Sequence, residues 1–221
     1  RNIALVEDAA QAHGASVKIE GELRMAGALG TVSCFSFFPS KNVTVGGEGG
    51  MITSSHEAIG DRIKSVVNHG RDGNLESQEV GTNLRMSEVF AAIGRKQLVH
   101  LDAWLEKRRS HATTFTQVVD VNSNLKSPAV RPESNHAWHQ FCIQTDNAER
   151  LLEHMNAHHI DARLIYPTPC HMHPVYANHP QANETFSVTE ALCRQLVSIP
   201  VHHGLTDEES ARIVKAIETY F

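Results

Sequence analysis

Cysteine is scarce and never paired. Cys34, Cys142, Cys170 and Cys193 stand singly, with no Cys-x-x-Cys spacing, which excludes a zinc ribbon or a dithiol motif and predicts reduced thiols in a cytoplasmic protein. No apolar run approaches the roughly 20 residues that a membrane-spanning helix needs, and no charged, then apolar, leader opens the chain. Basic residues show no excess: 20 Lys and Arg face 25 Asp and Glu, a net charge of −5, with the cations scattered. That distribution gives no footprint for nucleic acid or an anionic membrane. Repeats and low-complexity segments are also missing. Histidine is the exception, at fifteen residues, with neighbours at His158-His159, His171-Met172-His173 and His202-His203. No His-Glu-x-x-His helix accompanies them, so they read as scattered side chains and no metal site is predicted.

What is present centres on Ser33 to Met51, SCFSFFPSKNVTVGGEGGM. An apolar, β-rich run from Ser33 to Phe38 ends at Pro39, which cannot donate to a strand ladder. Ser40-Lys41-Asn42 follows, then Gly46, Gly47, Gly49 and Gly50, then a short strand from Met51 to Thr53. The spacing fixes Lys41 on a tight loop between two strands. A lysine held in apolar surroundings loses its proton more readily and becomes a Schiff-base nucleophile. Read from these residues alone, Lys41 is first of all an ordinary exposed loop lysine, as most lysines are, and the stretch is no more than suggestive of that chemistry. The glycines are not a Walker loop, because no Gly-Lys-Ser/Thr closes them.

Along the chain, Asn2 to Val6 reads as a strand ending in Glu7-Asp8, and Ala9 to Ala12 as a helix start. An acid at a strand's carboxyl end is where open α/β sheets bind ligands, while an N-cap is the alternative reading of Asp8. Gly27 to Thr31 is a turn, His56 to Asn68 an amphipathic helix, and Asn68 to Glu79 a polar loop. Ser87 caps a single long helix reaching about Val119, and the polar, proline-marked stretch from Asn122 to Asn135 marks a boundary. Beyond it the patterns predict strands at Trp138–Gln144, Ala162–Ile165 and Val197–Val201. Helices are predicted at Asn147–His158 and Thr189–Leu196, with a last one opened by Thr206 and Glu209 as a capping box. Alternating strands and helices predict a small domain of α/β or α+β class.

Several segments occur together in one order: VEDAAQAHGA (Val6 to Ala15), SFFPSKN (Ser36 to Asn42), the glycine run with GGMITS, NHGR (Asn68 to Arg71), GTNLRMSEVFAAIGRKQL (Gly81 to Leu98), YPTPCH (Tyr166 to His171) and SIPVHHGLTDEE (Ser198 to Glu209). Over essentially the whole chain this resembles the pyridoxal-phosphate sugar aminotransferases of the DegT/StrS type. The resemblance implies the aspartate-aminotransferase fold, fold type I. Residues 1–100 would be the remainder of the cofactor-binding large domain, and residues 101–221 a small α/β C-terminal domain, joined by the helix 87–119. It implies pyridoxal 5′-phosphate as cofactor, Lys41 as the Schiff-base lysine and proton carrier, and Asp8 on the pyridinium nitrogen. Gln11 would meet the ring's hydroxyl edge, Ser36 the phosphate, and Asn83 the phosphate of a second subunit. Tyr166 and His171 would lie near the sugar.

The substrates implied are a nucleotide-linked keto sugar and an amino-acid donor, glutamate, in a homodimer or higher homo-oligomer. One branch of the family carries histidine in place of the lysine and dehydrates its substrate; the lysine here implies transamination. The family extends further on the N-terminal side, with a phosphate-gripping turn and an aromatic that stacks on the ring. The expectation is therefore a C-terminal piece or a truncated form, with an exposed sheet edge that self-association covers. The alternative function is a non-catalytic, oligomeric remnant with weak or no cofactor binding.

Overall fold

The computed structural model describes residues 3–73 and 75–221, so the predicted strand start at Asn2 lies outside the described residues. The chain forms two compact units, residues 1–106 with 130–139 and residues 107–129 with 140–221.

In the first unit, β1 (Val6–Asp8) pairs in parallel with β4 (Val32–Ser36), which pairs antiparallel with β5 (Gly50–Thr53). The Asp8-Ala9 turn does not start a helix. Asp8 Oδ1 accepts from the Ala10 amide at 3.0 Å, and two successive i→i+3 turns, Ala12 to Ala9 and Ala15 to Ala12, swing the chain into another strand. That strand, β2 (Ser16–Ile19), forms a hairpin with β3 (Glu22–Met25) and takes β6 (Ser134–Asn135) on its other side. The hairpin was not among the predicted elements. Its turn is Glu20-Gly21, both at positive φ (51° and 87°), the pair of left-handed residues that a tight two-residue hairpin demands. The unit's core is Phe37, Val43 and Val45, with Phe35, Met86, Phe90 and Leu101 packed against it.

The single long helix expected over 87–119 is two helices, α2 (Glu88–Leu98) and α3 (Leu101–Val119); α1 (Glu57–Val66) precedes them. The ladder breaks at Val99-His100, where the His100 amide reaches only the carbonyl of Gln97, three residues back, at 2.9 Å. Ser87 caps α2 as expected, accepting from the Phe90 amide at 3.2 Å.

In the second unit, β9 (Leu196–Ile199) is the centre of an antiparallel sheet between β7 (Phe141–Gln144) and β8 (Arg163–Leu164). Predicted as starting at Trp138, β7 begins only at Phe141, because Trp138 sits at φ 45°, outside the strand region. Around the sheet lie α4 (Ala148–Ala157), α5 (Ser187–Gln195) and α6 (Asp207–Glu218). Phe141, Ile143, Val197, Leu151, Met155 and Ile217 are all essentially buried. Burying each such side chain contributes about 1.5–3 kcal/mol. The Phe115 ring meets Phe141 edge-on at 5.7 Å. The predicted capping box opens α6: Thr206 Oγ1 accepts from the Glu209 amide at 3.2 Å, and Glu209 Oε2 accepts from the Thr206 amide at 2.8 Å. No helix among the described residues is long and apolar enough to cross a membrane.

Candidate functional site

Parallel pairing brings the carboxyl ends of β1 and β4 to one edge. In the register Asp8 stands opposite Cys34 and Glu7 opposite Ser33. Strand side chains alternate between faces. Asp8, Cys34 and Ser36 therefore share one face of the pair, while Glu7, Ser33 and Phe35 share the other.

The second face is the anchor. Glu7 Oε1 accepts from the amides of Leu29 and Gly30, each at 2.6 Å, and from Ser33 Oγ at 2.8 Å. Its Oε2 accepts from the Gly27 amide at 2.8 Å. Gly30 is required here, since a Cβ would stand 2.8 Å from the Leu5 carbonyl oxygen and 3.1 Å from Glu7 Cγ. Partial burial pushes the Glu7 carboxyl up, but the bonds from Gly27, Gly30, Ser33 and Leu29 outweigh it and hold the pKa below the ordinary value. Glu7 thus ties β1 to the turn that enters β4.

The first face carries the sequence candidates. Asp8 uses one oxygen on Ala10 and keeps acceptor capacity on the other. Ser36 Oγ accepts from the Phe38 amide at 3.3 Å, which leaves its O–H to donate. The chain then turns through Phe38-Pro39-Ser40-Lys41, closed by the Lys41 amide on the Phe38 carbonyl at 2.9 Å. Lys41 is half-buried, and the three residues after it are held down. Asn42 and Val43 are buried, and the Thr44 amide donates to Gln97 Oε1 at 2.9 Å. Gln11 is exposed, three residues past Asp8.

Asn83 lies elsewhere in the first unit, exposed, bridged to Asn68, with its Oδ1 accepting from Arg85 Nε at 3.1 Å. Tyr166 and His171 belong to the second unit. Tyr166 is 62% exposed. His171 Nε2 stands 3.4 Å from Glu190 Oε1, with its ring edge-on to Phe186 at 4.7 Å, beside a recess of about 240 Å³ that Cys170, Tyr176 and His179 help to line. Among the described residues no group of three or more His, Cys, Asp or Glu could hold a metal ion.

Three residues of the site escaped the sequence reading. Glu7 and Asn42 are two, and His13 is the third. His13 is 4% exposed, with its ring 5.3 Å from that of Phe35 and 5.8 Å from that of Phe37. Burial, and then the Lys41 ammonium, push its pKa below the ordinary imidazole value, against an opposing effect of the Ser36 backbone. An aromatic on each side of a histidine was visible in the sequence only as two phenylalanines in a distant strand.

The sequence profile described as the DegT/DnrJ/EryC1/StrS aminotransferase family matches residues 1–218. The chain is 32% identical over 216 residues to the dTDP-3-amino-3,4,6-trideoxy-alpha-D-glucose transaminase of Streptomyces venezuelae, covering 98% of this chain and 56% of that one. It is also 32% identical over 213 residues to a UDP-N-acetyl-3-dehydro-alpha-D-glucosamine 3-aminotransferase of Acidithiobacillus ferrooxidans, covering 96% and 56%. Among solved structures, S. venezuelae DesV in complex with a ketimine intermediate superposes with a TM-score of 0.92 at 31% identity, over 98% of this chain and 57% of that one. The chain thus has the α/β fold of these transaminases and spans a little over half their length.

Proposed function

The chain belongs to the DegT/DnrJ/EryC1/StrS aminotransferase family, and from that premise we propose that it is the lysine-bearing part of a cytoplasmic, pyridoxal-phosphate-dependent transaminase. Its acceptor is a nucleotide-linked keto sugar, its amino donor glutamate, and its working form a homodimer or higher homo-oligomer. The observation that carries the reading is the shared face of Asp8 and Ser36 at one strand edge, with Lys41 on the turn that follows Ser36. The donor set fits the cofactor: an acid with a spare oxygen, a hydroxyl with a spare proton, and an amine.

When bound, the cofactor supplies a ring that stabilises negative charge at the substrate carbon. Asp8 would accept a hydrogen bond from the ring nitrogen and so favour its protonated form. Ser36 would donate to the phosphate, Gln11 would meet the ring's hydroxyl edge, and Asn83 would reach the phosphate held by a second copy. Lys41 would be the amine that holds the cofactor by its aldehyde carbon, and, once freed, the base that carries the proton to and from the substrate carbon. Tyr166 and His171 contact the sugar. The relatives' dTDP- and UDP-linked sugars support a nucleotide-sugar acceptor.

The test is to mix the protein with pyridoxal phosphate, reduce with borohydride and map the modified peptide by mass. The expected label is on Lys41, with a visible absorbance band that Lys41→Ala abolishes. Label spread over exposed lysines such as Lys64, whose side chain is 80% exposed, refutes the reading. A second reading, a folded relative with little cofactor affinity, is favoured by the exposed apolar side chains of Leu5 and Val6 (55% and 64%) next to the β1 edge. It predicts no band at any cofactor concentration.

A further inference from the structure

The residue after Lys41 makes a contact that spans 95 positions of sequence. Asn42 is 4% exposed, and its Nδ2 donates to the Ala137 carbonyl at 2.8 Å. Turning the amide over would set two oxygens against each other, so the donor has to face Ala137. Ala137 lies in a segment that returns to the first unit and is fastened there. The Lys18 amide donates to the Glu133 carbonyl at 2.8 Å, Asn135 Nδ2 donates to Ser16 Oγ at 2.9 Å, and β6 pairs with β2. Directly after Ala137, Trp138 is 8% exposed at φ 45°, with its amide on His136 Nδ1 at 2.9 Å. Burial keeps the His136 pKa low, so the ring is neutral and Nδ1 can accept. A left-handed tryptophan is held only where its surroundings over-determine it, so the Ala137 carbonyl is a rigid point for Asn42 to grip.

We infer that Asn42 is a positioning residue for Lys41: by clamping the lysine loop to the returning segment at Ala137, it sets the orientation and reactivity of the Lys41 amine. The loop is held on its other side by the Lys41 amide bond to Phe38 and by the buried Val43 and Val45. Asn42 joins it to the returning segment by a side-chain hydrogen bond. The inference rests on Lys41 being the reactive lysine, and the experiment separates the two.

The protein is treated with formaldehyde and cyanoborohydride over a range of pH, and the methylation rate of Lys41 is measured by peptide mass against that of Lys64. In the unmodified protein the Lys41 to Lys64 ratio differs from unity and has its own pH profile. Asn42→Ala moves the ratio about fivefold toward unity, the equivalent of one buried hydrogen bond. Asn42→Leu keeps the volume, and with it the fold, and moves the ratio equally. Ser16→Ala loosens the returning segment elsewhere, lowering the melting temperature and leaving the ratio in place. A ratio unchanged in both Asn42 variants overturns the clamp alone, and so does an equal change in Ser16→Ala. A ratio already near unity in the unmodified protein overturns the reactive-lysine reading, and the clamp falls with it.

Discussion

Replacing Glu7 by glutamine tests whether the anchoring face of the β1–β4 pair holds the site together. The carboxylate receives four hydrogen bonds, three on Oε1 and one on Oε2. Glutamine in its better orientation keeps its oxygen toward Leu29, Gly30 and Ser33, but sets its NH2 against the Gly27 amide. One bond becomes a donor facing a donor, and three lose their ionic partner. Bonds to charged groups contribute about 1.5–3 kcal/mol against about 0.5–1.5 for neutral ones. Allowing for partial exposure, the loss is about 2–3 kcal/mol. For a chain of this size that lowers the melting temperature by about 5–10 °C. Because the chain has two units, a global melt is read beside a local one: amide hydrogen exchange at Gly27, Leu29 and Gly30 speeds up while the second unit keeps its protection. The folded-state pKa of Glu7 is depressed, so its stabilisation is full above the unfolded value of about 4.3 and is lost as pH falls through the folded one. Glu7→Gln therefore flattens the acid limb of the stability curve. A variant with unchanged exchange at the three amides and a loss under about 0.5 kcal/mol refutes the anchor.

The other predictions are independent of that anchor. His13 has a depressed folded-state pKa, so its contribution is full above about pH 6.5 and declines as pH falls below it; His13→Phe removes that limb from the urea-unfolding curve of the first unit. In the second unit, burial and then the Arg108 guanidinium depress both His202 and His203, so stability there declines below about pH 6.5, read as lower hydrogen-exchange protection after correction for the intrinsic rate, and the decline is restrained in a His202→Gln, His203→Gln double variant. Thr206→Ala removes one half of the α6 capping box and costs about 1 kcal/mol by thermal melt, while Ser210→Ala at the same helix leaves the cap intact. Phe141→Ala, with a fully buried ring edge-on to Phe115, costs about 3–5 kcal/mol in denaturant unfolding.

The parts of the fold that were legible in the sequence are those that local chemistry decides. Thr206 and Glu209 sit at capping-box spacing, and Ser87 precedes an apolar run, so both helix starts were readable and both exist. The β4–turn–β5 unit was readable from Pro39 and the glycines. Elements fixed by distant contacts were not. The hairpin β2–β3 carries Glu-Gly at its turn in place of the stronger Asn-Gly signal, and β2 is completed by β6, more than a hundred residues away. The break between α2 and α3 has neither glycine nor proline to announce it. Within the candidate site, Lys41 and Asp8 drew notice from their places on a turn and at a strand end, whereas Ser36 was named only through the family resemblance of its motif. Glu7, His13 and Asn42 could not be named, because their partners at Gly27–Gly30, Phe35 and Ala137 are assembled only by folding.

The alternation along β1 and β4 divides labour in a way that constrains how such a site can change. Glu7, Ser33 and Phe35 face the anchoring side, where the Glu7 carboxylate is taken up by three backbone amides and by the Ser33 hydroxyl. Asp8 and Ser36 face the other side, and each keeps one hydrogen-bonding function unspent. A one-residue slip of β1 against β4 would exchange the two faces at once, turning Asp8 toward the glycine turn and Glu7 outward. The four bonds to Glu7 and the close approach at Gly30 oppose that slip, since the turn accepts a carboxylate only at the Glu7 register. The adjacent acids therefore differ by role, not by chemistry. One holds the register; the other is presented because the register is held.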